Sequence, residues 1–452
     1  MQHFDLVIIG AGSGNTLLTP FFDDWKVAIV ERDLFGGTCM NRGCIPSKML
    51  VYAADVAEIA RDGPRLGVGT RFDGADWRSI RDRIFDRIDP IAVDGEKYRL
   101  SQPNVTVFKT TTRFVGHKQL AVGDEIITGD HIVIAAGSRA RIPIADGFDT
   151  VPYHTSDTIM RLDELPEHLI VLGGGFIAAE MAHVFGSLGS RVTIIHRSPT
   201  LLRNEDDDIA LRFTEIYRHR FDVLTSTQVL SAREQNGIVE LEVSVDGERR
   251  TVRGDCVLAA VGRIPNGDEL MVTATGVTLD GLGYIETDAQ LRTAVDGVWA
   301  LGDIINPAML KHTANAEANL IAYNIEHPDA MKTIERRFVP RAVFGHPQVA
   351  AVGATERDLS EWGVPYIASQ RDYAATAYGW AMEDTESFCK VIAHRETRLL
   401  LGAHIIGPHA SILLQQLVQG MRFGQTVDEI ATEQLYTHPA LTEVVEQALL
   451  AL

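Results

Sequence analysis

The sequence has few cysteines, an excess of acidic over basic charge, and no long apolar run. Its four cysteines are far too few to staple 452 residues as a disulfide scaffold. The formal charge of −19 makes nucleic acid a poor candidate partner, because an acidic surface repels phosphate backbones. No apolar run approaches the ~18–20 residues that span a bilayer. The N-terminus lacks the basic stretch of a signal peptide, so we expect a cytoplasmic protein without membrane contact.

The composition is that of an ordinary globular protein, with 45% hydrophobic and 23% charged residues. The length suggests about three domains, at roughly 150 residues per domain. Residues 5–31 and 169–195 share one plan, in which a buried strand, a glycine turn, a helix and a second buried strand follow one another. This plan is the dinucleotide-binding unit of a doubly wound α/β fold. Two such units predict two dinucleotides and a relay of electrons between them.

The remainder of the chain follows a different pattern. Between about 225 and 255, hydrophobic and polar residues alternate and break at Asp246 and Gly247, which predicts a hairpin. After about residue 338 the chain predicts a mixed α+β domain. Its predicted elements are strands within 339–353 and 388–406 and helices at 411–421 and 440–450.

The first glycine turn has the residues that a dinucleotide site needs. Gly10 makes the tight turn, and Gly12 lets the backbone approach a pyrophosphate. A helix at about 16–22 is expected to supply amide donors and a favourable dipole. Glu31 ends the second strand, where an acid can accept a hydrogen bond from a ribose hydroxyl. Asn15 replaces the third glycine, so helix and strand are expected to pack slightly further apart.

A cysteine pair follows this unit. Four residues separate Cys39 from Cys44, which on a helical start places them about one turn apart and within reach of a disulfide. A metal site would need further ligands, and the sequence offers no second cysteine pair, so we expect no metal. A helix N-terminus and a nearby base would lower the thiol pKa. Arg42 is a candidate for added positive potential, and a solvent-facing arginine is the alternative.

The segment from Gly36 to Lys48 resembles the redox-active motif of the pyridine nucleotide–disulfide oxidoreductases, the glutathione reductase-like family, and the resemblance covers essentially the whole chain. It implies FAD between NAD(P)H and the disulfide, in a homodimer. It also implies an α/β fold with two doubly wound, Rossmann-like domains and a C-terminal α+β dimerisation domain. The implied divisions are 1–146 with 264–335 for FAD, 147–263 for NADPH, and 338–452 for the interface.

The resemblance also implies catalytic roles. Cys44 would be the thiolate next to the flavin, and Cys39 the interchange thiol that attacks the substrate disulfide. Lys48 and Glu180 would form a charge pair near flavin N5, where a cation stabilises the charge gained on reduction. An ordinary helix glutamate is the alternative for Glu180.

Near the end of the chain, His438 is followed by proline, with Glu443 five residues after the histidine. This arrangement resembles the histidine–proline motif of the family. His438 would deprotonate Cys39 and protonate the leaving thiol, and Glu443 would orient it. In the family this histidine comes from the other subunit.

The remaining implied sites bind the two cofactors. The FAD contacts are expected at Gly10, Gly12, Ser13, Gly14, Glu31, Gly37, Thr38, Lys48, Ala136, Gly137, Gly302, Asp303, Lys311, His312 and Thr313. The NADPH contacts are expected at Gly173, Gly175, Phe176, Ile177, Glu180, Arg197, Arg203 and Gly262.

The second unit predicts NADPH rather than NADH. Family members that use NAD usually carry an acid where this chain has His196. Arg197 and Arg203 lie six residues apart and can clamp a 2′-phosphate with charge-assisted hydrogen bonds. Phe176 stands where the family usually has a tyrosine that covers the flavin until nicotinamide arrives.

The substrate is expected to be a disulfide of low negative charge. The predicted first helix has no basic residue, and Asp23 and Asp24 follow it, so an anionic disulfide would be poorly served. Several segments, including 87–92 and 153–157, resemble family members that reduce mycothione, the disulfide of the sugar–inositol thiol mycothiol. A glutathione-type reductase and a dihydrolipoamide dehydrogenase-like enzyme remain the alternatives. A flavoprotein sensor without turnover is a third, which the set Lys48, Glu180, His438 and Glu443 disfavours.

Overall fold

A computed structural model describes all residues 1–452. The strands are β1 Gln2–Ile9, β2 Val27–Val30, β3 Val105–Phe108, β4 Thr112–Gly116, β5 Gln119–Val122, β6 Glu125–Ile134, β7 Ser138–Ala140, β8 His168–Leu172, β9 Arg191–Ile195, β10 Asp222–Leu224, β11 Thr227–Gln235, β12 Ile238–Val245, β13 Glu248–Gly254, β14 Cys256–Ala259, β15 Arg263–Pro265, β16 Val298–Ala300, β17 Arg341–Val343, β18 Val349–Gly353, β19 Tyr366–Asp372, β20 Phe388–His394 and β21 Leu400–Ile406.

The α-helices lie between or after these strands. They are α1 Gly37–Arg42, α2 Cys44–Asp62, α3 Trp77–Leu100, α4 Phe176–Leu188, α5 Asp207–Arg220, α6 Lys311–Glu326, α7 Glu356–Trp362, α8 Ala377–Met382, α9 Ala410–Arg422, α10 Val427–Thr432 and α11 Thr442–Leu450.

The first sheet has the order β3-β2-β1-β6-β5-β4, with β16 also paired to β6. β3, β2, β1, β6 and β16 run parallel, and β5 and β4 complete an antiparallel edge. Residues 27–30 of β2 are all buried, as expected for a parallel strand with both faces covered. The carboxyl ends of β1 and β6 meet in register at Ile9 and Ile134, so the loops that follow them open at one edge.

The second unit is built on the parallel sheet β10-β9-β8-β14. α4 connects β8 to β9, which gives the second strand–turn–helix–strand unit that the sequence predicts. β11, β12 and β13 form a separate antiparallel sheet that turns at Asp246 and Gly247, so the predicted hairpin is confirmed.

The third unit is the antiparallel sheet β17-β18-β21-β20-β19, with α9 and α11 packed against it. The predicted mixed α+β organisation after residue 338 is therefore confirmed. Taken together, the fold is α/β with two doubly wound units and a C-terminal α+β unit. No helix of the structure combines the length and the apolar character that a membrane crossing requires.

A buried lysine joins the second unit to the third. The ammonium of Lys390 on β20 lies 2.7 Å from Asp206 and 2.5 Å from Asp208, both at the start of α5, and also contacts Glu356 of α7. Lys390 and Asp206 are almost fully buried, so each charge depends on the other for solvation. The cation occupies the middle of the three carboxylates.

The predicted helix at about 16–22 is wrong. Two short 3₁₀ turns, Ser13–Leu17 and Pro20–Phe22, take its place. Pro20 has no amide proton to donate, and it forces Thr19 into an extended conformation (φ −98°, ψ 171°), so an α-helix cannot run through this point. The first glycine turn therefore offers amide donors without the macrodipole of a long helix.

Candidate active site

The two cysteines lie on either side of a break between two helices. α1 carries Cys39 and ends at Arg42, and α2 begins at Cys44. A Cβ on Gly43, between them, would lie 2.8 Å from the carbonyl oxygen of Thr38, so only glycine permits this close turn. The break places Cys44 in the first turn of a 19-residue helix, where free amides and the macrodipole favour a thiolate.

The two thiols are free and hydrogen-bonded to each other, and this bond separates their pKa values. The bond to Cys39 lowers the pKa of Cys44 to about 7; burial opposes the shift, and the charge of Lys48 supports it. The same bond, together with burial, raises the pKa of Cys39. The first proton to leave the reduced pair therefore comes from Cys44, and its thiolate accepts a hydrogen bond from Cys39.

Lys48 and the buried Glu180 form a partly buried charge pair beside the cysteines. The Lys48 ammonium lies 2.5 Å from one carboxylate oxygen of Glu180, and the other oxygen accepts the amide proton of Phe344 at 3.0 Å. The ammonium also lies 4.7 Å from the centre of the Phe344 ring. Glu180 is only 4% exposed, so its charge is compensated by these contacts alone.

Arg42 does not have the role that its position in the sequence suggests. Its guanidinium is hydrogen-bonded to the carboxylate of Asp33, which neutralises its charge locally. After the bond to Cys39, Lys48 is the side chain whose positive charge lowers the pKa of Cys44. The solvent-facing alternative does not describe Arg42 either, since its side chain is only 28% exposed and is paired with Asp33.

The first glycine turn consists of closely packed backbone atoms that leave no room for a Cβ at Gly10 or Gly37. A Cβ at Gly10 would lie 2.4 Å from the carbonyl oxygen of Ala135, and a Cβ at Gly37 would lie 2.8 Å from the Cα of Gly12. The amide of Gly12 has no acceptor within the chain. Tight backbone packing with a free amide fits a pyrophosphate, which binds such turns through backbone N–H groups.

Polar side chains extend this turn. The hydroxyl of Ser13, which the 3₁₀ turn places beside the buried Gly14, accepts a hydrogen bond from Lys311 at 2.8 Å. The carboxylate of Glu31 accepts the amide of Ala11 at 2.8 Å. Glu31 therefore lies over the glycine turn at the end of β2, where the sequence predicts it.

A second group of residues lies at the carboxyl end of β16. Asp303 accepts a hydrogen bond from Ser138 at 2.9 Å, and the amide of Gly302 donates to Glu317 at 2.7 Å. Glu317 is fully buried, and burial raises the pKa of its carboxyl, while Arg336 pairs with its other oxygen at 2.9 Å. Glu317 fixes the turn that presents Asp303.

The start of α6 faces the same edge of the first sheet. Ala136 and Gly137 follow β6 there, and His312 on α6 shares a hydrogen bond of 2.9 Å with the carbonyl oxygen of Pro340. The hydroxyl of Thr313 is buried and has no hydrogen-bond partner in the chain. A buried hydroxyl at a helix N-terminus fits a polar group of a bound cofactor.

The second glycine turn is equally tight. A Cβ at Gly173 would lie 2.2 Å from the carbonyl oxygen of Ala260, and a Cβ at Gly174 would lie 2.6 Å from the ring of His196. Nothing lies within 4 Å of a Cβ at Gly175, so this residue presents its backbone to open space. The turn fits a second pyrophosphate.

The residues that follow β9 are suited to bind an additional phosphate group. Burial, with the charges of Arg203 and Arg197, lowers the pKa of His196 to about 4, so the imidazole is neutral at pH 7. Arg197 and Arg203 are exposed, and neither side chain has an ion pair or a hydrogen bond within the chain. Two free guanidinium groups beside a neutral ring form a site for an anion.

Three other predicted residues line the same turn. Phe176 begins α4 and is 47% exposed, and Ile177 follows it half-buried. Gly262 follows β14 with nothing within 4 Å of a Cβ. Because α4 begins at the second turn and also carries Glu180, this helix connects the turn to the Lys48–Glu180 pair.

His438 and Glu443 form a pair of their own. The imidazole Nδ1 lies 2.8 Å from one carboxylate oxygen of Glu443, and the other oxygen accepts the amide of Ala440 at 3.1 Å. The hydrogen bond to His438 lowers the pKa of Glu443. The His438 side chain is 73% exposed, and no hydrogen bond joins it to either cysteine of the same chain.

Comparison with known proteins agrees with this arrangement. Residues 4–318 match the family described as pyridine nucleotide-disulphide oxidoreductase, and residues 339–449 match the dimerisation domain of the same family. The chain is a pyridine nucleotide–disulfide oxidoreductase. Members of this family use FAD and NAD(P)H, and the dimerisation domain supports a homodimer.

Named relatives of this oxidoreductase span its whole length. Mycothione reductase of Mycobacterium tuberculosis is 45% identical over 100% of both chains. A dihydrolipoyl dehydrogenase of Haloferax volcanii is more distant, at 32% identity over 98% of this chain and 95% of the relative. A flavoprotein disulfide reductase of Escherichia coli, RclA, superimposes with a TM-score of 0.88 at 26% identity over 100% of both chains.

An open groove of about 470 Å³ begins at Cys44 of the oxidoreductase. Its lining residues are Cys44, Ile45, Lys48, Met49, Tyr52 and Arg83. Sequence reasoning missed Phe344 and Glu317, which hold Glu180 and the Gly302 turn. Phe344 donates through its backbone, and Glu317 is one of two glutamates on α6, so neither carries a signal in the sequence.

Proposed function

We propose that this oxidoreductase catalyses the NADPH-dependent reduction of mycothione to mycothiol through the pair Cys39 and Cys44. The observation that carries the proposal is the hydrogen-bonded pair of free thiols at the start of α2, with the Lys48–Glu180 charge pair beside it. The full-length similarity to mycothione reductase supports this substrate over the lipoamide of a more distant relative.

The cofactors would occupy the two glycine turns. The first turn and the start of α6 would hold FAD, with Gly12, Ser13, Glu31, Asp303 and Thr313 as the main contacts. The second turn would hold NADPH. When bound, NADPH supplies a hydride and FAD passes the electron pair to the disulfide.

The selection of NADPH rests on the region after β9. Arg197 and Arg203 would bind the 2′-phosphate, since neither guanidinium has a carboxylate partner in the chain. His196 is neutral and so does not repel that phosphate, whereas an acid at this position would. NADH lacks the phosphate and gains nothing from the two arginines.

Lys48 would stabilise negative charge, and Glu180 would hold the Lys48 ammonium in position. The Lys48 ammonium stabilises negative charge on Cys44, and it would do the same for the negative charge that a bound flavin gains on reduction. Glu180 keeps the ammonium in place through the 2.5 Å contact. Phe176, at the mouth of the second turn, would exclude water from this region until nicotinamide arrives.

Two thiol exchanges complete the reaction. A base, the role proposed below for His438, first takes the proton of Cys39, whose pKa is raised in the pair. The resulting Cys39 thiolate attacks one sulfur of mycothione, the substrate S–S bond breaks, and a mixed disulfide forms between Cys39 and one mycothiol. The leaving mycothiol takes a proton. The Cys44 thiolate then attacks the Cys39 sulfur, which releases the second mycothiol and restores the Cys39–Cys44 disulfide. Two electrons and two protons have passed to the substrate.

In a homodimer, His438 of the partner subunit would transfer these protons. The pair with Glu443 fixes the Nδ1 proton, which leaves Nε2 of the exposed ring free to exchange a proton with a thiol. An apolar stripe on α2 supports a second copy as the partner, since Tyr52, Val56 and Ile59 are exposed there at helical spacing. The α2 stripe starts beside the cysteines, so a partner on it would reach them.

The substrate preference rests on residues 13–24, the segment after the first turn, which contain no lysine or arginine. Thr19 and Pro20 occupy the 3₁₀ segment, Asp23 follows it, and Arg99 is buried with its guanidinium bonded to Asn15. Mycothione, with sugar and inositol hydroxyls, would not be penalised there, whereas the carboxylates of glutathione disulfide would find no cation on that segment. We place the enzyme in the cytoplasm, where free thiols are maintained.

Steady-state turnover tests this proposal. NADPH consumption by the purified yellow holoenzyme is measured with mycothione, glutathione disulfide and lipoamide in parallel, each with NADPH and with NADH. We expect kcat/KM to be highest for NADPH with mycothione. Preferential turnover of glutathione disulfide or of lipoamide would replace the proposed substrate, and no turnover with any disulfide would favour a sensor.

A further inference from the structure

A second polar cluster lies behind the Lys48–Glu180 pair and joins the same helices. His183 on α4 is fully buried, and its Nε2 lies 2.9 Å from a carboxylate oxygen of Asp55 on α2. Its other nitrogen, Nδ1, lies 3.0 Å from the hydroxyl of Ser187. Arg220, at the end of α5, contacts Ser187 at 3.1 Å and Glu58 at 2.8 Å.

The donor directions in this cluster are fixed from both ends, because the guanidinium of Arg220 can only donate and the carboxylate of Asp55 can only accept. The Ser187 hydroxyl accepts from Arg220 and gives its own proton to Nδ1 of His183. Nδ1 also lies 3.5 Å from Arg220, which again makes it an acceptor. The proton of a neutral His183 is therefore on Nε2, from which it is donated to Asp55. Every member of the chain of bonds is satisfied.

The Asp55–His183 bond and the Lys48–Glu180 pair are carried by the same two helices. Asp55 follows Lys48 by seven residues on α2, about 10 Å along the axis, and His183 follows Glu180 by one turn on α4. The segment that follows β17 contacts both layers. The amide of Phe344 binds Glu180, and the ring of His346 stacks on His183 with centroids 5.6 Å apart.

We propose that Asp55 and His183 are positioning residues that fix the register of α2 on α4 and so hold the Lys48 ammonium at Glu180 and Cys44. The observations that carry this inference are the hydrogen bond between the two helices, in which the His183 side chain is fully buried and Asp55 partly so, and the direction of that bond. The inference rests on the proposed role of Lys48, but it is independent of which disulfide is the substrate. It gives a function to a buried histidine that the reaction itself does not use.

The test uses the holoenzyme without a disulfide substrate. His183→Leu and Asp55→Ala remove the bond between the helices, and Asp55→Asn keeps an oxygen that accepts from Nε2. The rate at which NADPH reduces the bound flavin is measured by stopped flow, and the pKa of Cys44 by its thiolate absorbance. We expect the first two variants to slow reduction about tenfold and to raise the pKa of Cys44 by about one unit. Asp55→Asn should stay near the unmodified enzyme.

His404→Leu is the matched control. His404 is as buried as His183 but lies on β21 of the C-terminal unit, where it bonds the carbonyl oxygen of Ala354. This control should lower Tm and leave the reduction rate and the pKa of Cys44 unchanged. Should His183→Leu fail to fold, Asp55→Ala still decides the matter, since the Asp55 side chain is 32% exposed and its loss opens no sealed cavity. A lower Tm with an unchanged rate and pKa in Asp55→Ala would overturn the inference.

Discussion

Removing either charge of the Lys48–Glu180 pair should move the pKa of Cys44 in opposite directions. The bond to Cys39 lowers that pKa to about 7; Lys48 supports the shift, and the charge of Glu180 opposes it. Lys48→Met therefore removes a cation that favours the thiolate, and Glu180→Gln removes an anion that disfavours it. Glutamine keeps an oxygen for Lys48 and for the Phe344 amide, so the local packing is retained.

The expected size follows from the distances and the charges. An opposite charge within ~4–6 Å lowers the pKa of an acid by about 1–3 units, and Lys48 is partly compensated by Glu180. We therefore expect Lys48→Met to raise the pKa of Cys44 by about one unit, which is about 1.4 kcal/mol. At pH 7 the thiolate fraction would fall from about one half to about one tenth. Glu180→Gln should lower the pKa by about half a unit.

The assay compares both variants in a Cys39→Ser background, which leaves Cys44 as the only redox thiol. Serine keeps a hydroxyl in place of the Cys39 thiol, and the thiolate absorbance of the holoenzyme is followed against pH. Arg42→Gln serves as the control cation, because Asp33 already neutralises Arg42. A shift of the same sign in Lys48→Met and Glu180→Gln, or an equal shift in Arg42→Gln, would refute the electrostatic account.

Three further predictions concern other parts of the site. Cys39→Ser should lower disulfide turnover at least about 10³-fold while NADPH still reduces the bound flavin, as single-turnover absorbance would reveal. Arg197→Gln and Arg203→Gln should each raise KM for NADPH about tenfold and leave KM for NADH unchanged, because each removes a charge-assisted bond to the 2′-phosphate; equal losses with both nucleotides would contradict this. Glu443→Gln should lower kcat about 10²-fold with little change in KM, since His438 loses the carboxylate that orients it.

Much of the fold could be predicted because the relevant signals are local. A buried strand followed by Gly10 and Gly12, and again by Gly173 and Gly175, indicates two doubly wound units, and both sheets are present. The alternation around Asp246 gave the hairpin for the same reason. The spacing of Cys39 and Cys44 also predicted the redox site, although the helix breaks between the two residues.

The misses have two different physical causes, one local and one tertiary. A helix after the first turn was expected from the repeated plan, but Pro20 and the extended Thr19 interrupt it. Arg42 looked like a cation for the thiolate, and only its approach to Asp33 across the loop shows otherwise. The bond between His183 and Asp55 joins residues 128 positions apart, so no local pattern could indicate it.

The central claim is that electrons from NADPH pass through Cys39 and Cys44 to mycothione, and stoichiometric thiol labelling tests it most directly. The holoenzyme is reduced anaerobically with one equivalent of NADPH, treated with one equivalent of mycothione or of glutathione disulfide, and alkylated for peptide mass spectrometry. We predict that NADPH exposes both thiols, that mycothione restores the disulfide, and that glutathione disulfide leaves the thiols labelled. Thiols that stay labelled after mycothione, or a pair that NADPH never reduces, would contradict the account.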